Sequence, residues 1–226
     1  MKKSGLANPP PSANSKEERV GRIINASLEV FSEFSLQDAT TQEIARRARV
    51  SKRDIYALFP DKHALLIATL NHALQTEISN IAKTIERARR IPSLQKKLET
   101  IGLTLVREVL SAAMSVLTRL VAAESIDRPL IGIVYFENGT ARRTILISDV
   151  LSQHIADARR PVLDPFQAAE HYLALVTYRP CLTTSVGMRH IWDARSTKAH
   201  VVNAVDCFIR AYPSLTAANS LPRKHL

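Results

Sequence analysis

Apolar residues recur along most of this chain at intervals of three and four, the spacing of one face of an α-helix. The first series is Val20, Ile23, Ile24, Leu28, Phe31 and Phe34, behind a Ser15-Lys16-Glu17-Glu18 capping box. It predicts a helix over residues 16–34. Thr40-Thr41-Gln42-Glu43 opens a second, short helix with Ile44, Ala45 and Ala48 on one face. Ser51-Lys52-Arg53-Asp54 opens a third, with Ile55 and Phe59 turned inward. A turn of about three residues centred on Arg49 separates them, and short helices joined this tightly predict a helix-turn-helix.

Beyond Pro60-Asp61, the stripe Leu66, Leu70, Leu74, Ile78, Ile81 and Ile85 predicts a long helix over 61–89. Helical patterning continues over 93–111 and 114–126. Pro129 and Gly132 punctuate a short segment ending near Tyr135 and Phe136, and further helices are predicted over 140–160, 165–187 and 196–212. Asp164-Pro165 marks one start, with proline at the first helical position, and Pro180 predicts a kink. No strand, hairpin or internal repeat emerges. The fold class is therefore all-α, with about nine helices. A tail over 1–14, rich in Pro, Ser and Asn, is expected to be disordered. A helix-turn-helix unit follows over 15–62, and a second helical unit over 63–226.

Composition narrows the class of function. With 226 residues, 46% of them hydrophobic, the chain can bury a core without disulfides. Cys181 and Cys207 lie far apart, read as free thiols, and form no redox or metal spacing. No signal peptide or membrane-spanning run is visible, so a cytoplasmic protein is expected. The formal charge of +10 favours a polyanionic partner. Net charge does not place the site, since residues 1–62 carry 11 basic and 8 acidic residues and the remainder 20 and 13. Local density does: Arg46 to Arg53 holds five cations in eight residues and no acid.

In a helix-turn-helix the second helix lies in the major groove and its first residues meet base edges. Here those are Lys52, Arg53 and Asp54, after the Ser51 cap. Arg and Lys donate to guanine O6 and N7, and Asp accepts from cytosine N4. Lys52 and Tyr56, with Arg53 and Ala57, face away from Ile55 and Phe59, and the Tyr56 hydroxyl can reach a phosphate. Thr40, Thr41 and Gln42 offer backbone N–H groups and hydroxyls to phosphate at a helix start, and Lys62 offers charge. Arg46 and Arg47 fit either a DNA contact or a solvated basic face. Lys2 and Lys3 are a further candidate arm, with a solvated tail as the alternative.

These residues resemble the tetracycline-repressor (TetR) family of bacterial regulators. The likeness runs from Val20 to Leu66. It rests on Phe31-Ser32-Glu33-Phe34, Ala39-Thr40-Thr41-Gln42-Glu43-Ile44-Ala45, Val50 to Phe59, and Asp61-Lys62-His63-Ala64-Leu65-Leu66. The resemblance implies a family domain over 17–77 with its motif over 40–59. It implies phosphate contacts at Thr41, Tyr56 and Lys62, and base-reading positions at Gln42, Lys52, Arg53 and Asp54. Two positions depart from the family pattern: Ser35 and Arg49 stand where glycine is usual. A left-handed Arg49 would cost roughly 1 kcal/mol, so either the turn differs or the strain is accepted, with Arg49 adding a phosphate contact.

The remainder resembles the family's ligand-binding and dimerisation domain, notably through Leu120-Val121-Ala122-Ala123-Glu124 and the last two helices. The family pairs those helices across a two-fold axis, which implies a homodimer through 165–187 and 196–212. Phe166, Tyr172, Leu173, Val176, Val201, Val205, Phe208 and Ile209 suit burial on more than one face, with one intramolecular core as the alternative. The resulting expectation is a repressor released from a palindromic double-stranded DNA operator by a small-molecule effector. Candidate pocket residues are Met114, Thr118, Tyr135, Phe136, Tyr172 and Arg179, with core packing as the alternative for the Met and aromatic residues; Arg179 either takes Glu124, Glu170 or an anionic ligand as partner or lies on the surface. No cofactor or metal is expected: the seven histidines form no zinc spacing, and neither a phosphate loop nor a nucleophile elbow is present. Control by a protein partner, an architectural DNA protein and a helical enzyme are the competing classes.

Overall fold

The computed structural model describes residues 13–154 and 164–215. It is all-α, and among the described residues it contains no strand. The helices are α1 (Ala13–Glu33), α2 (Thr41–Ala48), α3 (Lys52–Leu58), α4 (Lys62–Ala88), α5 (Leu94–Val109), α6 (Ala112–Glu124), α7 (Pro129–Tyr135), α8 (Arg142–Ser152), α9 (Pro165–Ser185) and α10 (Ala194–Ala211). A π-helical turn, Phe136–Ala141, joins α7 to α8, so the segment punctuated by Pro129 and Gly132 runs on into the helix expected after it. Nine separate helices therefore stand among the described residues.

Six helix starts, those of α2, α3, α5, α6, α9 and α10, follow side-chain oxygens that accept otherwise orphaned N–H groups. α1 begins at Ala13, ahead of the expected cap at Ser15. The tail expected over 1–14 thus gives its last two residues to the helix, and Lys2 and Lys3 lie outside the described residues. Ser111 caps α6 and Asp193 caps α10, each upstream of the predicted start. The last part of the helix predicted over 140–160 also lies outside the described residues.

The chain divides into two compact units, residues 1–69 and 70–226, with the boundary inside α4. In the first, the inward stripe of α1 (Ile23, Ile24, Val30, Phe31) is buried, as are Ile44, Ala45 and Ala48 of α2 and Ile55 of α3. In the second, α5 packs against both α9 and α10, and α8 lies along α9. Tyr172 is fully buried there, donates to the Leu98 carbonyl at 2.7 Å and meets Phe208 edge-on at 5.5 Å. Gly102 permits this approach, because a Cβ there would stand 2.8 Å from Val201 Cγ1 and 3.1 Å from the Tyr172 hydroxyl.

That core takes the intramolecular alternative for most of the apolar residues of the last two helices, while Phe166 is 43% exposed. Tyr172, Val176, Val201, Val205 and Phe208 are all fully buried within one chain. Their two-faced pattern reflects α9 and α10 packing on each other and on α5. α9 continues through Pro180, which leaves the Val176 carbonyl without its usual donor. His200 Nε2 of α10 supplies one at 2.8 Å.

Candidate nucleic-acid interface

Each of the two short helices of the motif is held by its own caps. Thr40 Oγ1 accepts from the Glu43 N–H at 3.1 Å. Ser51 and Asp54 form a reciprocal box: Ser51 Oγ accepts from the Asp54 N–H at 3.1 Å, and Asp54 Oδ2 accepts from the Ser51 N–H at 2.9 Å. Between them Arg49 is left-handed, at φ 54° and ψ 47°. Two hydrogen bonds close the turn, Val50 N–H to Ala45 O at 3.0 Å and Arg49 N–H to Arg46 O at 3.3 Å. Arg22 of α1 donates to the Ala48 carbonyl at 3.2 Å. The turn thus keeps the left-handed geometry that glycine usually serves and accepts the strain. At Ser35 the hydroxyl accepts from the Asp38 N–H at 3.2 Å, and the backbone there is not left-handed.

The basic run sorts into committed and uncommitted charges. Arg47 makes a bidentate pair with Glu33 of α1, at 2.5 and 2.6 Å, and also donates to Glu43. Arg46 pairs with Glu43 from the other side. Hydrogen bonds from Arg46 and Arg47 hold the Glu43 carboxyl down at about 2, and the Arg47 bond lowers Glu33 as well. Arg49, Lys52 and Arg53 are exposed, and their side chains make no ion pair or hydrogen bond among the described residues.

Tyr56, 53% exposed, lies 3.2 Å from Thr41 Oγ1, which places these two hydroxyls together at the junction of α2 and α3. Gln42 is exposed beside them. Two residues expected to face DNA are engaged internally. Asp54 caps α3 and pairs with Arg19 of α1 at 3.2 Å. The Ser51 hydroxyl and N–H, then Arg19 and Arg53, hold its carboxyl below the usual range. The Lys62 ammonium donates to the carbonyls of Leu36, Gln37 and Ala39 at 2.8, 2.9 and 3.0 Å, which uses all three of its protons.

Residues 23–69 match the profile described as bacterial regulatory proteins, tetR family. Residues 96–214, more than half of the chain, match the C-terminal domain of AefR-like transcriptional repressors. The chain belongs to the TetR family. It is similar to the regulator HbdR of Aromatoleum sp. (strain CIB), 41% identical over 70 residues, which is 31% of each chain. It is likewise similar to BetI of Escherichia coli (strain K12 / DH10B), 42% identical over 60 residues, 26% of this chain and 31% of BetI. The chain therefore spans under a third of the length of these relatives. A TetR-family regulator of Mesorhizobium loti shares its fold, with a TM-score of 0.80 over 87% of this chain and 97% of that one, at 18% identity. The matched relatives are named as transcriptional regulators, not enzymes.

In this TetR-family chain the candidate ligand residues separate. Met114, Thr118 and Tyr135 come together on one small cavity of the second unit, with Thr118 Oγ1 3.4 Å from the Tyr135 hydroxyl. Phe136 is instead 60% exposed, and Tyr172 belongs to the core. Arg179 takes the surface alternative, exposed over the Trp192 ring at 5.5 Å from its centroid.

The cavity also holds a pair that the sequence reading missed. Glu77, 1% exposed, lies 3.2 Å from Arg143, and both line the cavity with Cys181 and Thr184. Burial pushes the Glu77 carboxyl above the usual range, with Arg143 opposing. The signal was present: Glu77 is three residues after Leu74 and four before Ile81, an acid on the apolar stripe of α4. The π-turn lets Gly139 approach α4, where a Cβ would stand 2.9 Å from Leu74 Cδ2. Asn138 clasps Asn71 at 2.9 Å beside it. No helix among the described residues is by itself long and apolar enough to cross a membrane.

Proposed function

We propose that this protein is a cytoplasmic, homodimeric repressor that binds a near-palindromic operator and is released from it by a small molecule. The observation that carries the DNA reading is the shared outer face of α2 and α3. Thr41 and Tyr56 hydroxyls, the uncommitted cations Arg49, Lys52 and Arg53, and Gln42 occupy it together. Lys52 and Arg53 read bases. Thr40, Thr41, Arg49 and Tyr56 hold phosphates. Asp54 fixes the start of α3, and Lys62 fixes the loop that leads to Thr40.

The dimer reading rests on α9. Leu175, Tyr178, Leu182 and Val186 are spaced by three and four and are exposed, Tyr178 at 68% and Val186 at 62%. A second copy of this chain covers that stripe. The effector reading rests on the cavity at Glu77, whose buried carboxylate has the Arg143 ion pair but accepts no hydrogen bond, and where Thr184 Oγ1 is also buried without one. A void of about 10 Å³ holds one water at most, so an effector must open it. Opening acts on α4, which carries Glu77 and begins at Lys62.

Selection of duplexes from a random-sequence library tests the DNA reading. An inverted repeat with half-sites about one helical turn apart, ~34–36 Å, is the expected product. Equal affinity for all duplexes overturns it.

A further inference from the structure

A groove of about 880 Å³ opens in the second unit, away from the Glu77 cavity. Its size is that of small-molecule sites, roughly 300–1,000 Å³. Leu103 of α5 and Leu110 just after its end form an apolar wall, and Trp192 ahead of α10 lines the same space. The indole is fixed, with its N–H donating to Thr183 Oγ1 at 2.8 Å and His200 edge-on at 5.2 Å.

Around this apolar lining stand Arg107, Arg189 and Lys198. All three are exposed, and their side chains make no ion pair or hydrogen bond among the described residues. Four other cations of the unit are paired, Arg89 with Glu86, Lys96 with Glu99, Arg143 with Glu77 and Arg210 with Asp206, so what sets Arg107, Arg189 and Lys198 apart is that they line one groove together. Asp193 is the acid among the described wall residues, and it is spent on the α10 cap, accepting from the Ser196 N–H at 2.6 Å and the Ser196 hydroxyl at 2.7 Å. Three cations lining one groove give it a positive potential that favours a bound anion.

We propose that this groove is a binding site for a small amphiphilic anion, a carboxylate on an apolar body. Arg107, Arg189 and Lys198 take the carboxylate, and Leu103, Leu110 and Trp192 take the apolar body. A nucleic-acid backbone has no use for the leucine wall, whereas an amphiphile uses both. The site is separate from the operator face, so its test needs no DNA, and its outcome is independent of the repressor reading.

Trp192 is the single tryptophan, so its emission reports on the groove directly. Full-length protein is titrated with octanoate and, separately, with 1-octanol. Octanoate should change the emission saturably, with one site per protomer by calorimetry, and should bind roughly tenfold or more tighter than octanol. The double variant Arg107→Gln/Lys198→Gln should lose that preference and bind both compounds alike, with an unchanged melting profile because both residues are exposed. Arg189→Gln, in the short 3-10 turn ahead of α10, should weaken octanoate in the same direction. An unresponsive emission, equal affinities in the starting protein, or octanoate binding that survives all three substitutions overturns the proposal.

Discussion

His200 Nε2 lies 2.8 Å from the carbonyl of Val176, which has no intrahelical donor because Pro180 carries no N–H. A carbonyl only accepts, so His200 holds its proton on Nε2. Replacing His200 with Phe should destabilise the protein by about 1–3 kcal/mol, the cost of orphaning a buried acceptor. In a Pro180→Ala background the new backbone N–H would restore the helical bond, and the same His200 substitution should cost much less. Denaturant unfolding of the four proteins measures the coupling. Strict additivity would show that the bond does not replace the missing helical one.

Arg49 offers a second separable effect. Arg49→Gly should raise stability by up to about 1 kcal/mol by removing left-handed strain. It should weaken binding to all operators alike and flatten the salt dependence by about one unit of slope. Arg53→Ala should instead cost ~1–3 kcal/mol at the preferred site and relax the preference at one base position. If both variants lose affinity independently of sequence, Arg53 does not read a base.

Lys62→Met should lower the melting temperature, since the carbonyls of Leu36, Gln37 and Ala39 lose their shared donor. Its operator affinity, measured well below that temperature, should fall with little change in salt slope. A slope reduced by about one, with stability intact, would make Lys62 a phosphate contact.

Acid should loosen the ionic cluster that Glu43 forms with Arg46 and Arg47 on α2. Glu43 titrates at about 2 in the fold against an ordinary 4.5, because Arg46 and Arg47 donate to it. A lowered carboxyl contributes stability that is present above the unfolded value and lost as pH falls through the folded one. Glu43→Gln should therefore be destabilising at neutral pH, and the gap from the starting protein should close between about pH 4.5 and 2. A gap that is constant across that window rules out the ionic contribution.

The dimer is tested on α9. Leu175→Glu with Leu182→Glu should give folded monomers by sedimentation, because both side chains are already exposed in one chain. Val205→Glu should unfold the protein, because Val205 is fully buried. Dimers that persist in the α9 variant would place the interface elsewhere.

Local signals make the helix-turn-helix legible in the sequence alone. Thr40 and Ser51 cap short helices whose apolar positions recur at three and four, and those interactions span only a few residues. The same locality locates α4 to α6 and α9 and marks Arg49 as a strained turn. What sequence could not assign was which partner each polar or apolar side chain takes across the chain. Arg47 meets Glu33, fourteen positions away, and Lys62 meets the loop after α1, so a basic run became part clamp and part exposed face. Val201 and Val205 read equally well as dimer contacts or core, because a helical period records that a face is buried and not what buries it. Only the packing of α5, α9 and α10 decided that, and it left Leu175, Tyr178 and Leu182 uncovered.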